Sequence, residues 1–158
     1  MSISNYKIAS ITLAITLIST TSAPTTIASK VTPPLTKCFI RVDNPHLSDS
    51  IKRQKGFEAV KVNATSKCDK QIRNLSLTVV IYKKGFLRNH EVVIGTLKIS
   101  ELIPAFQKIE NKGTWERCKS RKPSQYFGVA YAEALINGKS MQTLRVRTDK
   151  VIALPCGT

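Results

Sequence analysis

Four cysteines constrain the fold of this 158-residue chain more than any other feature. They stand at positions 38, 68, 118 and 156, and none forms the close Cys-x-x-Cys pair from which zinc sites usually draw ligands. An even number of widely spaced cysteines indicates a disulfide framework and an oxidising compartment. Three connectivities are open. We favour Cys38 with Cys68 and Cys118 with Cys156, because each pair is consecutive in sequence and would tie a strand to a neighbour.

The start of the chain predicts export. Lys7 precedes an uncharged apolar run at residues 8–19, which is shorter than the roughly 20 residues that a membrane-spanning helix needs. A segment rich in small residues follows, and this order is typical of a signal peptide. We place cleavage after Ala28, so that residues 1–28 are the signal peptide; an uncleaved anchor is the alternative. Residues 29–37 are then a short linker, and residues 38–158 a single disulfide-bonded domain.

Alternation of apolar and polar residues predicts strands along the rest of the chain. At residues 74–84 it places Leu75, Leu77 and Val79 on one face, which is the two-residue period of a half-buried strand. Turn residues separate the apolar segments. The sequence therefore predicts an all-β fold, an antiparallel, immunoglobulin-like β-sandwich of about seven strands. The other strands are predicted at residues 38–43, 60–68, 90–99, 114–118, 125–136 and 144–154.

Residues 100–113 differ from this pattern and predict one short helical insert. Ser100 can cap a helix, and Leu102, Phe106 and Ile109 have the spacing of one helical face. Pro104 would fall in the first turn, where its missing N–H is tolerated.

The order of these segments resembles a known group of proteins. It includes the stretch DNPHLSDS at residues 43–50, a cysteine before the strand at 74–84, and QYFGVAYA at residues 125–132, which the last two cysteines flank. The chain resembles the small secreted two-disulfide proteins common in actinobacteria, over most of residues 38–156. The resemblance implies a compact β-sandwich with consecutive disulfides, and it implies no assigned activity.

Two histidines are the candidates for catalysis. His46 lies in DNPHLSDS, where Pro45 disfavours a helix and the Asp, Asn and Ser side chains can bond their own backbone, so we interpret this stretch as a turn. His90 opens a predicted strand. A secreted ribonuclease could use such a histidine pair as acid and base, and this enzyme is one alternative. Because neither histidine has a sequence partner that indicates a site, we predict a protein that is not an enzyme.

Charge provides the best functional indication. Removing the signal peptide takes away one cation and changes the formal net charge from +15 to +14. Such a surface attracts anionic polymers, such as teichoic acid or acidic glycans, or an anionic membrane surface. Aromatic residues do not alternate with the cations in the basic runs, which disfavours nucleic acid. The predicted basic patch consists of Arg117, Lys119, Arg121, Lys122, Arg145 and Arg147.

The function predicted from the sequence is therefore binding through a basic surface, outside the cell or on its envelope. A protease inhibitor is the second alternative, since the basic residues that follow Cys118 form a loop next to a disulfide. We predict no cofactor and no metal.

Overall fold

A computed structural model describes residues 38–158; the predicted signal peptide and linker lie outside the described residues. This part of the chain forms antiparallel sheets and one short helix, so the all-β prediction is confirmed. In chain order the elements are β1 (Cys38–Val42), β2 (His46–Leu47), α1 (Asp49–Lys55), β3 (Ala59–Lys61), β4 (Ala64–Cys68), β5 (Arg73–Lys83), β6 (His90–Ile99), β7 (Lys108–Asn111), β8 (Trp115–Arg117), β9 (Ser124–Ile136), β10 (Lys139–Gln142), β11 (Val146–Arg147) and β12 (Ile152–Leu154).

The large sheet is built around the two longest strands, β5 and β9. One edge of β9 pairs with β5, which in turn pairs with β6. The other edge of β9 pairs successively with three short strands, β12, β11 and β10. Two small sheets, in the orders β1-β4-β7 and β2-β3-β8, complete the fold.

The core lies between the large sheet and the small sheets, in a sandwich-like arrangement. The alternating apolar residues of β5 that the sequence predicts as one face are buried, and they meet the small residues of β9. Gly128 sits opposite Ile81, and a Cβ atom at this position would lie 2.6 Å from a methyl group of Val62. The missing side chain thus lets the two layers approach. Asn111 joins them by polar contacts, because its Nδ2 donates to the carbonyl oxygens of Leu77 and Gly95.

The two disulfides are formed as predicted, but only one for the predicted reason. Cys38 and Cys68 are directly opposite each other in β1 and β4, so this bond joins neighbouring strands. Cys118 and Cys156 follow β8 and β12, which belong to different sheets. The second bond therefore links a small sheet to the large sheet.

The helical insert predicted at residues 100–113 is wrong. Ile103, outside the proposed apolar face, is buried, and its backbone exchanges two hydrogen bonds with Ile72. Phe106 adopts a φ of 65° in a turn, and its N–H donates to the carbonyl of Cys68. Residues 108–111 then form β7. Leu102 and Phe106, two residues of the proposed apolar face, are exposed.

The turn predicted for DNPHLSDS is also wrong in part, because the stretch forms β2 and then starts α1. His46 and Leu47 pair with Lys61 and Val60, and Ser48 is the N-cap, accepting a hydrogen bond from the N–H of Ile51. Gly56 ends the helix in a left-handed conformation, with φ 75°. Local polar side chains thus serve to cap a helix rather than to close a turn.

Three strands are absent from the sequence prediction, namely β2, β7 and β10. Two predicted strands are divided: residues 60–68 into β3 and β4, and residues 144–154 into β11 and β12. The number of strands therefore exceeds the predicted seven.

Candidate functional site

The outer face of the large sheet, which points away from the core, carries aromatic rings covered by arginines. Tyr82 and Phe127 are cross-strand partners, and their rings stack with centroids 5.1 Å apart and planes 13° apart. The Arg147 guanidinium lies 4.0 Å from the Phe127 centroid, and the Arg145 guanidinium lies 4.9 Å from that of Tyr131. Phe127 is only 5% exposed. Its ring therefore supports Arg147 and is not a free platform for stacking a ligand.

Register explains why these groups share one face. Phe127, Val129 and Tyr131 alternate along β9, and Arg147 is the cross-strand partner of Val129. Both arginines are exposed. Cation–π contact holds each guanidinium over a ring and leaves N–H groups able to donate to an anion. We call Arg145 and Arg147 the arginine pair.

A cavity of about 490 Å³ lies at the end of β5. Lys83, Lys84 and Lys122 line it together with Ser124 and Gln125. Pairing of β5 with β9 creates it, because Lys83 is opposite Tyr126 and the N–H of Lys84 donates to the carbonyl of Gln125. We call it the lysine cavity.

The lysine cavity differs in charge from the other three described cavities, each of which includes a carboxylate. A cavity of about 480 Å³ shares Lys83 and Lys84 and also contains Lys119, but it adds Glu91 and Glu116. In a third, of about 360 Å³, Glu58 accepts a hydrogen bond from Lys52. The fourth, of about 300 Å³, combines two arginines, one of them Arg147, with two aspartates. Among the described cavities, the lysine cavity is thus the best suited to an anionic group.

The predicted basic patch is divided between two regions of the surface. Lys122 lines the lysine cavity, and the arginine pair lies on the outer face of the large sheet. Arg117 instead lies 4.7 Å from the ring centroid of Phe57, just after α1. Arg121 lines the cavity beside that helix, and Lys119 lines both that cavity and the one of about 480 Å³. Residues that are close in sequence after Cys118 therefore point to different surroundings.

Lys83 and Lys84 are absent from the predicted patch, although the structure places them beside Lys122. Local sequence does not show this proximity, because it depends on the register between β5 and β9. One signal was present: in a strand that alternates through Tyr82, Lys84 falls on the same face two residues later.

The two candidate catalytic histidines lie in different sheets. His46 belongs to β2, where its Nδ1 lies 3.2 Å from the carbonyl oxygen of Asn44. His90 begins β6, opposite Lys83, and lines the 480 Å³ cavity with Glu91. Each ring is thus placed by its own strand, and the two histidines line none of the four described cavities together.

The two disulfides indicate a compartment outside the cytoplasm. Within residues 38–158 there is no helix of the length and apolar character needed to cross a membrane, and no cluster of three or more His, Cys, Asp or Glu side chains arranged to hold a metal ion. Comparison with known protein families, curated proteins and solved structures finds no match to this chain.

Proposed function

We propose that this protein is exported and binds anionic polymers, such as teichoic acids or acidic glycans, without acting as an enzyme. The observation that carries the proposal is the lysine cavity, whose lining includes Lys83, Lys84 and Lys122 and no carboxylate. Lys83 Nζ already donates to the carbonyl oxygen of Thr158, so Lys84 and Lys122 are the cations assigned to the anion. The net charge of +15 over the whole sequence favours anionic partners in general. The lysine cavity and the arginine pair are the proposed site of that attraction.

The arginine pair extends the proposed site along the outer face. Tyr82 stacks on Phe127 beneath Arg147, and Lys84 follows Tyr82 on the same strand at the cavity. The stacked rings thus connect the arginine pair to the strand that ends at the lysine cavity, and the proposed polymer would place its repeated charges on both. Arginine suits phosphate, sulfate and carboxylate groups, because its planar fork can donate two parallel hydrogen bonds. Stacking on a ring restricts the side chain beforehand, so less rotational freedom is lost when the polymer binds.

The test compares double variants that each remove two positive charges. Binding of teichoic acid and of heparin would be measured by calorimetry at low salt for the wild type, R145Q/R147Q and K84Q/K122Q. A hydrogen bond to a charged group contributes about 1.5–3 kcal/mol, so each variant should bind about tenfold more weakly or worse.

The matched control is K70Q/K139Q. Both lysines are exposed; Lys70 follows β4, and Lys139 lies at the opposite end of β9 from the lysine cavity. This variant has the same net charge as the others but keeps the proposed site. Equal weakening in the control would reject the site and leave only diffuse attraction.

A protease inhibitor is a second candidate, favoured by the loop that follows Cys118. Residues 119–123 are all exposed, the disulfide to Cys156 holds their start, and the Ser120 backbone exchanges hydrogen bonds with Gly157. Arg121 thus lies on a restrained, accessible loop, which suits a trypsin-like pocket. Inhibition of trypsin by the wild type and its loss in R121A would favour this candidate; full trypsin activity at high protein concentration would reject it.

A further inference from the structure

The tip of the hairpin between β5 and β6 exposes two large apolar side chains. Phe86 is 102% exposed and Leu87 is 92% exposed, so neither is covered by the rest of the described protein. Isolated apolar residues are common on surfaces, but an adjacent Phe and Leu at the tip of a hairpin form a single protruding apolar unit.

The turn itself is built so that these side chains project. A Cβ atom at Gly85 would lie 2.1 Å from the carbonyl oxygen of Arg88 and 3.1 Å from the His90 ring. Only glycine allows the chain to double back this closely, and the residues between Gly85 and Arg88 are then left at the outermost point. The projection is therefore a property of the backbone.

Cations surround the apolar tip. Lys84 and Arg88 flank it in sequence and are exposed, and Lys83 lies behind them at the end of β5. The ionisable groups on the β6 side are His90 and Glu91, so positive charge predominates. A tip of this kind matches the boundary of an anionic bilayer, where acyl chains lie beneath negatively charged headgroups.

We propose that the β5–β6 hairpin tip inserts Phe86 and Leu87 into anionic lipid bilayers while Lys84 and Arg88 bind the headgroups. Long basic side chains can reach back to the headgroups while neighbouring apolar groups enter the hydrocarbon. A polyanion in water would contact the same cations but would leave Phe86 and Leu87 exposed. The apolar tip is the reason for assigning a bilayer here, and the proposal does not depend on polymer binding.

Vesicle flotation with the full chain tests the proposal. The vesicles would contain phosphatidylcholine alone or phosphatidylcholine with phosphatidylglycerol. Wild-type protein should float with the anionic vesicles and much less with the neutral ones. F86S/L87S should bind anionic vesicles at least about tenfold more weakly, because burying even one Phe or Leu side chain in hydrocarbon raises the affinity by about that factor. Its teichoic acid and heparin affinities should stay unchanged, so failure here is distinct from failure of the proposed function.

A matched control removes one Phe and one Leu elsewhere. Phe39 and Leu144 are 64% and 88% exposed and lie outside the hairpin, so F39S/L144S should float like the wild type. A direct readout comes from F86W, whose added fluorescence should be quenched by lipids brominated in their acyl chains. Only insertion, not headgroup contact, brings the ring close to those bromines.

Three outcomes would overturn the proposal. The first is absence of binding to anionic vesicles. The second is unchanged binding in F86S/L87S or unquenched F86W, which would mean attraction by charge alone. The third is self-association of the wild type in sedimentation experiments that F86S/L87S abolishes, together with vesicle binding that does not need the tip; a second copy of the chain would then cover Phe86 and Leu87.

Discussion

Lys84 and Lys122 line the same cavity although they belong to different basic stretches of the sequence. The sequence predicts that neutralising the cluster Arg117, Lys119, Arg121 and Lys122 weakens polymer binding more than neutralising Lys83, Lys84 and Arg88. In the structure Lys122 of the first cluster lines the lysine cavity with Lys83 and Lys84 of the second, because β5 ends beside the start of β9. Each set of substitutions would therefore remove part of one site, and comparing them no longer separates two sites.

A double-mutant cycle with K84Q and K122Q tests that the two lysines bind one anionic group. Two ammonium groups on a shared ligand should show a coupling energy of about 0.5–3 kcal/mol in teichoic acid affinity. Measured by calorimetry at low salt, the cycle of K122Q with K70Q should instead be additive, since Lys70 lies outside the cavity. Additivity in both cycles would contradict a shared site.

The Cys118–Cys156 disulfide should contribute strongly to stability. It closes a loop with a sequence separation of 38 residues and links a small sheet to the large sheet. C118S/C156S should lower the free energy of unfolding by about 4 kcal/mol on the loop-entropy model, measured by denaturant titration. Peptide mapping without reduction should recover this pair and Cys38 with Cys68. A Cys38–Cys118 peptide, or an unchanged unfolding midpoint, would count against the account.

Substitutions in DNPHLSDS should separate the histidine from the helix cap. H46A should change the free energy of unfolding by less than about 0.5 kcal/mol, because its ring nitrogen contacts only a nearby backbone carbonyl. S48A should cost about 1 kcal/mol, because Ser48 caps α1. Thermal unfolding of both variants provides the comparison.

A ribonuclease activity that H46A or H90A abolishes would replace the binding account by the enzyme alternative.

Glu110 should make stability depend on pH in acid. The ammonium groups of Lys108 and Lys112 both donate hydrogen bonds to its carboxylate and lower its pKa from 4.5 to about 2. A lowered pKa stabilises the folded state above the ordinary value, and this contribution disappears as pH falls from 4.5 towards 2. The unfolding free energy of E110Q should therefore fall less over this range than that of the wild type. Parallel curves for the two proteins would show that Glu110 has no such role.

The parts of the fold that follow from the pattern of neighbouring residues can be predicted from the sequence. Alternation along residues 74–84 located β5 almost to the residue, because one face of that strand is buried against the core. The cysteine pairs were also correct. The helical spacing of Leu102, Phe106 and Ile109 leads to a wrong prediction. Three apolar residues at that spacing stabilise this segment less than the backbone hydrogen bonds that Ile103 makes with Ile72.

The candidate site was only partly predictable because it depends on strand register. The alternation of Arg145 and Arg147 predicts that they share one face. The rings beneath them belong to β9, so the basic runs themselves contain no aromatic partners. The α1 helix was missed for a related reason. Ile51 is its only buried residue, so the segment has no apolar stripe that could indicate a helix.

The salt dependence of teichoic acid binding separates a defined polyanion site from diffuse attraction. Binding constants for the wild type, R145Q/R147Q and K70Q/K139Q would be measured over a series of salt concentrations. The slope of log K against log salt reports how many charges the ligand neutralises. We predict a steep slope for the wild type, a clearly shallower one for R145Q/R147Q, and a wild-type slope for K70Q/K139Q. Equal slopes in the two double variants, or binding that salt does not weaken, would contradict a defined polyanion site on this surface.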